Sequence, residues 1–299
     1  MQTWKKVTCS LLAALAVASI ALLPVHAAED TQSTEPVQTT SATTYTEPTV
    51  PTTAATTAPT EAPVETTVPP TTAPPVEPET VIATATISSQ GDLLMHKPVI
   101  DTCKDNSGKY DFESIFRYIT EDVTAADYAV ANLETTLAST TNGYQYSGYP
   151  NFNCPDEIVD AAKDAGFDML LNGNNHSYDT SSVGMHRTIE IIRDRELDHI
   201  GFVDKDEEKR YLVKEINGIR FAFIGITKGF SGMGLPANSD FCVNLLYEDY
   251  VTDYEEVDRA GIRSLVEAAV AEDPDFIIAS LHWGSENISG ISSTQEEIT

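Results

Sequence analysis

Four short polar clusters each close an apolar run: Gly91-Asp92, Asn132-Leu133-Glu134, Asn174-Asn175-His176, and His282-Trp283-Gly284 with Glu286. Carboxylates and amide oxygens are hard donors and imidazole is a nitrogen donor. Gathered round one mouth, they make what a divalent cation site requires. A carboxylate shared by two cations holds them about 3.5–4 Å apart, where they clamp a phosphoryl oxygen and acidify a bound water. His176, beside Asn175, is then placed to pass a proton to a leaving group. Each cluster alone has a plainer reading. Asp after Gly forms turns, Asn174-Asn175 tolerates positive φ, and His282 could be a hydrogen-bonded histidine at a strand end. Recurrence at four strand ends favours the site.

The elements that must position these clusters are readable from periodicity. Residues 81–87 are rich in β-branched side chains and bounded by Gly91, which predicts a strand; 128–133, 167–171 and 275–281 predict three more. Asn217-Gly218 joins 211–216 to 219–226, a strong hairpin signal because both turn residues must take positive φ. Phe112, Ile115, Phe116 and Ile119 recur at helical spacing. Pro155 opens a helix through Ile158, Val159 and Ala162 that stops at Gly166, and further helices are predicted over 183–197 and 255–271. Alternation of this kind predicts an α/β domain of mixed sheets with helices outside, its site at the carboxyl ends of the strands. Gly229 to Gly234 lacks the ending of a phosphate loop and reads as a loop flanking the site.

The chain of 299 residues carries 46 Asp and Glu against 18 Lys and Arg, a net charge of −28. That excludes a nucleic-acid partner held by phosphate neutralisation. Residues 1–27 read as a signal peptide, with Lys5 and Lys6, an apolar stretch over 11–23 and a cleavage site after Val25-His26-Ala27. An uncleaved anchor is the alternative. Cys9 precedes the apolar stretch and is no lipoprotein cysteine. Residues 28–80 read as a Thr/Pro-rich disordered linker, a stalk spacing a domain from a surface, and 81–299 as the folded domain. An exported protein is expected, extracellular or associated with wall or membrane. Cys103, Cys154 and Cys242 allow one bridge, Cys103 to Cys154 being the candidate.

Gly91-Asp92-Leu93-Leu94-Met95, Ala131-Asn132-Leu133-Glu134, Asn174-Asn175-His176-Ser177-Tyr178-Asp179 and Ser280-Leu281-His282-Trp283-Gly284-Ser285-Glu286 resemble the ordered motifs of the CapA/PgsA capsule-synthesis family. The resemblance implies a bacterial surface protein with a metallophosphoesterase-like (calcineurin-like phosphoesterase) fold, a four-layer αββα sandwich of mixed sheets. It implies work on poly-γ-glutamate alongside capsule synthase membrane subunits, and Mn, Fe or Zn as cofactor. By the same resemblance Asp92 would bind a first metal, Glu134 would bridge, and Asn175 and His282 would serve a second. His176 would be the proton donor, with Asn132, Asn174, Asp179 and Glu286 behind the ligands or against the substrate. Leu94 stands where the superfamily has the His of Asp-x-His, which leaves His96, two residues on, as an alternative ligand. Glu134 replaces the usual Asp. The family continues to a Gly-x-His-Pro-His segment beyond Thr299, so a C-terminally incomplete domain with weak or partial metal binding is expected.

Three functions are weighed. One is a metal-dependent phosphoesterase-like hydrolase of an acidic surface polymer or phosphorylated substrate. Another is a binding or scaffold module of a polymer-assembly machinery. A wall hydrolase using Asp92 and Glu134 as acid and base is the third, and it leaves two clusters unused.

Overall fold

The computed structural model describes residues 83–239 and 242–298. The signal and linker readings, and the start of the strand predicted over 81–87, lie outside that range. β1 (Ile87–Asp92), β2 (Tyr128–Asn132), β3 (Met169–Leu171) and β4 (Asp198–Ile200) form one parallel sheet in that order. β5 (Tyr211–Ile216), β6 (Ile219–Thr227) and β7 (Phe276–His282) form a second, mixed sheet, β5 antiparallel and β7 parallel to β6. The helices are α1 (Lys97–Thr102), α2 (Glu113–Phe116), α3 (Thr120–Thr124), α4 (Glu157–Asp164), α5 (Ser181–Asp194), α6 (Arg259–Val270) and α7 (Ser293–Ile298).

Strand alternation builds the layers. On β2, Ala129 and Ala131 face Ile158, Val159 and Ala162 of α4, while Tyr128 and Val130 face Phe221 and Phe223 of β6. On β6, Ala222, Ile224 and Ile226 turn the other way, onto Leu265 and Ala269 of α6. Helix, sheet, sheet and helix therefore stack in four layers, which is why the central strands are apolar on both faces. This is the α/β sandwich expected from the sequence, with one sheet parallel and the other mixed among the described residues.

Local differences have local causes. β1 begins at Ile87 because the ladder to β2 sets it: Ile87 pairs with Tyr128 and Asp92 with Asn132, with an irregularity between Ser89 and Asp92 that spans Gly91. Backbone pairing at a sheet edge recruits the polar Ser88, Ser89 and Gln90, which side-chain hydrophobicity does not mark. The run through Phe112 and Ile119 is split into α2 and α3. There Thr120 Oγ1 and Thr124 Oγ1 donate back to the carbonyls of Phe116 and Thr120, a competitor to continuous helix. Asn217 and Gly218 take φ of 52° and 78°, as the hairpin requires. Cys103 and Cys154 are buried free thiols, so the candidate bridge between them is not formed.

The loops after β3 and β4 meet backbone to backbone. A Cβ on Gly201, at φ 132°, would lie 2.2 Å from Gly173 N. Gly201→Ala should therefore destabilise the domain by about 3 kcal/mol or more, whereas Gly91→Ala, with no atom within 4 Å of the added carbon, should change it by less than about 1 kcal/mol. Urea unfolding of the two variants checks this; equal losses would contradict it.

Candidate functional site

Asp92 and Asn132 end adjacent parallel strands, and Asn132 is the junction of the site. Its Nδ2 donates to Asp92 Oδ1 at 2.8 Å and to Glu134 Oε2 at 2.9 Å, while its Oδ1 accepts from Asn174 Nδ2 at 2.9 Å. Ionised carboxylates only accept, so the neighbours fix which way this amide points. Asn174, fully buried, shapes the turn after β3. Its Oδ1 accepts from His176 N at 3.1 Å and Ser177 Oγ at 2.9 Å, and its Nδ2 also donates to Leu133 O at 2.9 Å. An Asx turn of this kind sets the direction of Asn175 and His176.

The second sheet contributes His282 from the end of β7. Its Nε2 donates to Asn175 Oδ1 at 2.5 Å and lies 3.8 Å from Glu134 Oε1. Asp92, Glu134, Asn175 and His282 are thus brought to one rim, with Asn132 and Asn174 behind them. A cavity of about 180 Å³ between the sheets opens there, lined by Asp92, Asn132, Ser280 and His282 among others. His176 stands on the same turn as Asn175. Its Nδ1 donates to Asp179 Oδ2 at 2.8 Å, and that oxygen also accepts from Phe152 N at 2.6 Å. Asp179 thereby fixes the ring so that Nε2 is the nitrogen left for chemistry.

Burial dominates the electrostatics. Glu134 is pushed up to about 7, first by desolvation and then by the charge of Asp92. His282 is lowered, first by burial, with Asp92 opposing and Lys228 assisting. A neutral imidazole beside two carboxylates that repel each other is a donor set suited to a cation, which would relieve that repulsion. By donor type alone, two carboxylates, one imidazole and one amide oxygen match one ion and fall short of two, but as the side chains stand they do not close round one. Among the described residues, no group of three or more His, Cys, Asp or Glu side chains has the geometry to hold a metal.

Two sequence candidates are not brought in. Glu286 is exposed and makes no hydrogen bond or ion pair among the described residues. Trp283 packs against the core beside α6 and Gly284 turns the chain at φ 84°, which carries Glu286 past the rim. His96 does not join the carboxylates; its ring stands edge-on to Phe152, centroids 5.0 Å apart. Three neighbours escape sequence reasoning. Phe152 packs edge-on to His176 at 4.6 Å, Ser231 accepts from Asn175 Nδ2 at 3.4 Å, and Lys228 reaches Gly284 O at 2.9 Å beside His282. Only Ser231 carried a signal, through the Gly-rich loop.

The model of the family described as bacterial capsule synthesis protein PGA_cap matches residues 86–299. The chain is similar to the capsule biosynthesis protein CapA of Bacillus anthracis, at 26% identity over 221 residues, which is 71% of this chain and 50% of that protein. It therefore spans about half the length of that curated relative. A solved structure, the Thermus thermophilus sulfate thiohydrolase SoxB in complex with glycerol, aligns at 14% identity and a TM-score of 0.33, covering 60% of this chain and 32% of that one.

Glu134 should make the metal-free protein less stable as pH rises. Its folded pKa lies above its ordinary value, so its stabilising contribution is full below about 4.5 and is lost as pH climbs to about 7. Glu134→Gln should then gain nothing at pH 4.5 and about 2–3 kcal/mol at pH 8, in denaturant melts without metal. A variant destabilised equally at both pH values would contradict this.

Proposed function

The chain belongs to the bacterial capsule synthesis protein family, and from that membership we propose that it is the domain of an exported, surface-tethered protein acting in the making or anchoring of poly-γ-glutamate. Its rim would perform cation-assisted cleavage of a phosphorylated or polymer-borne substrate. The observation that carries this reading is the joining of Asp92 and Glu134 through Asn132 and of Asn175 to His282, whose Nε2 lies 3.8 Å from Glu134 Oε1, with His176 held by Asp179. Among the described residues no helix is long and apolar enough to cross a membrane.

A divalent cation of the Mn, Fe or Zn class, held by Asp92, Glu134, Asn175 and His282, would supply the positive charge that developing phosphoryl oxygens require. The chain's own residues do the rest. Asn132 keeps the two carboxylates apart yet adjacent, and Asn174 aims the amide and imidazole of the next two residues. Asp179 holds Nδ1 of His176, so that its Nε2 is the atom that would pass a proton to the leaving group. Removal of that proton donor should slow chemistry about 10²-fold or more. A second reading, a scaffold without turnover, draws on the donor set's suiting one ion and not two.

His176→Ala should lower kcat for Mn-dependent hydrolysis of simple phosphomonoesters by about 10²-fold with Mn affinity unchanged. Asp92→Asn should weaken Mn affinity itself. A native protein with no turnover at any metal concentration would reject the hydrolase and leave the scaffold.

A further inference from the structure

One glycine beside the site is required by neither backbone nor packing. Gly225 is buried within β6 and, by strand alternation, turns toward the other sheet on the same face as Phe221 and Phe223. Its φ lies outside the left-handed region, and a Cβ there would meet Ile200 Cδ1 at 3.5 Å and Gly201 N at 3.6 Å, both ordinary contacts. Glycine inside a strand costs stability relative to alanine, so here it marks a place where space itself is wanted. Gly201 shows the contrast: φ of 132° and a backbone neighbour 2.2 Å from the added carbon demand glycine there.

The space that Gly225 borders is the cavity of about 180 Å³ that opens at the rim. Gly225 and its ladder partner Ser280 line it together, and Asp92, Asn132 and His282 line it at the site. Ser89 of β1 and Ser280 of β7 bring two hydroxyls, neither hydrogen-bonded among the described residues, and Ile200 adds an aliphatic wall. Apart from Asp92 and His282, no ionisable side chain borders the cavity. Free hydroxyls beside an aliphatic wall, without further charge, match a small neutral group that itself bears hydroxyls.

Position decides where such a group belongs on the substrate. Asp92 and His282, two of the proposed cation ligands, line the cavity, and His176 does not. A group lying there is joined to the phosphorus held at the rim but stands away from the proton donor, so it is retained when the leaving group departs. We propose that the site takes a phosphodiester whose retained ester group, a small polyol, occupies this cavity, and that Gly225 sets the room available to it. Water adds to phosphorus and the P–O bond on the His176 side breaks. The leaving oxygen takes a proton through His176, the other proton of the water is released with the product, and an alcohol and the phosphomonoester of the polyol result. The proposal rests on the phosphoesterase reading of the rim.

The test is equilibrium binding, which needs no turnover. Methylphosphonate and 3,4-dihydroxybutylphosphonate share the phosphonate and differ by the hydroxylated chain, and neither can be hydrolysed. Their dissociation constants are measured calorimetrically with Mn present for the native protein, Gly225→Ala, Gly225→Val and Ser280→Ala. The native protein should bind the dihydroxybutyl compound about 10-fold tighter; that preference should shrink in Gly225→Ala, vanish in Gly225→Val and fall about 3- to 5-fold in Ser280→Ala, which adds no bulk. Gly225→Ala should also melt no lower than the native protein without metal, since its φ suits alanine. No preference in the native protein, a preference unchanged in Gly225→Ala and Ser280→Ala, or a Gly225→Ala that melts well below the native protein overturns the proposal and leaves the phosphoesterase reading standing. Failure of the native protein to bind either compound overturns the phosphoesterase reading and this proposal with it.

Discussion

Everything at the rim depends on one amide placed between two carboxylates. Asn132 has a single NH₂ group, and it spends both protons on Asp92 and Glu134 while its oxygen is held by Asn174. Without a cation, two acids of like charge are kept close by neutral hydrogen bonds, and the buried one is driven toward its protonated form. Such a cluster opposes folding more than it favours it, and a fold retains that kind of strain where function requires it.

The rest of the architecture serves that placement. β1 and β2 bring Asp92 and Asn132 side by side as ladder partners, and the turn after β3 swings Asn175 and His176 over them. The second sheet delivers His282 across the gap because Phe221, Phe223 and Ile216 pack against Tyr128, Val130 and Met169. Close approach at Gly173 and Gly201 draws the loops after β3 and β4 together. Packing between sheets and chemistry at their ends are thus a single constraint: loosening one moves the other.

Legibility from sequence followed the physics of each signal. The hairpin at Asn217-Gly218 and the central strand β2 are plain, because turn chemistry and burial on both faces leave local marks. β1 is displaced because an edge strand is chosen by backbone pairing, and the helix near Phe116 is split by threonines whose back-bonding is invisible to apolar spacing. At the site, residues at strand ends are readable because strand ends announce themselves. Glu286 shows the limit: proximity in sequence to His282 says nothing once Gly284 has turned the chain. Phe152 lies in an irregular loop and enters the site only through tertiary contacts with Asp179 and His176.

The most direct measurement is an anomalous difference map from crystals grown with manganese chloride. The account predicts a peak at the mouth between the sheets, within coordination distance of Asp92, Glu134 and His282, with Asn132 still bridging the carboxylates from behind. Manganese bound elsewhere with this rim empty, or a structure that sends these four strand ends to separate faces, would contradict it.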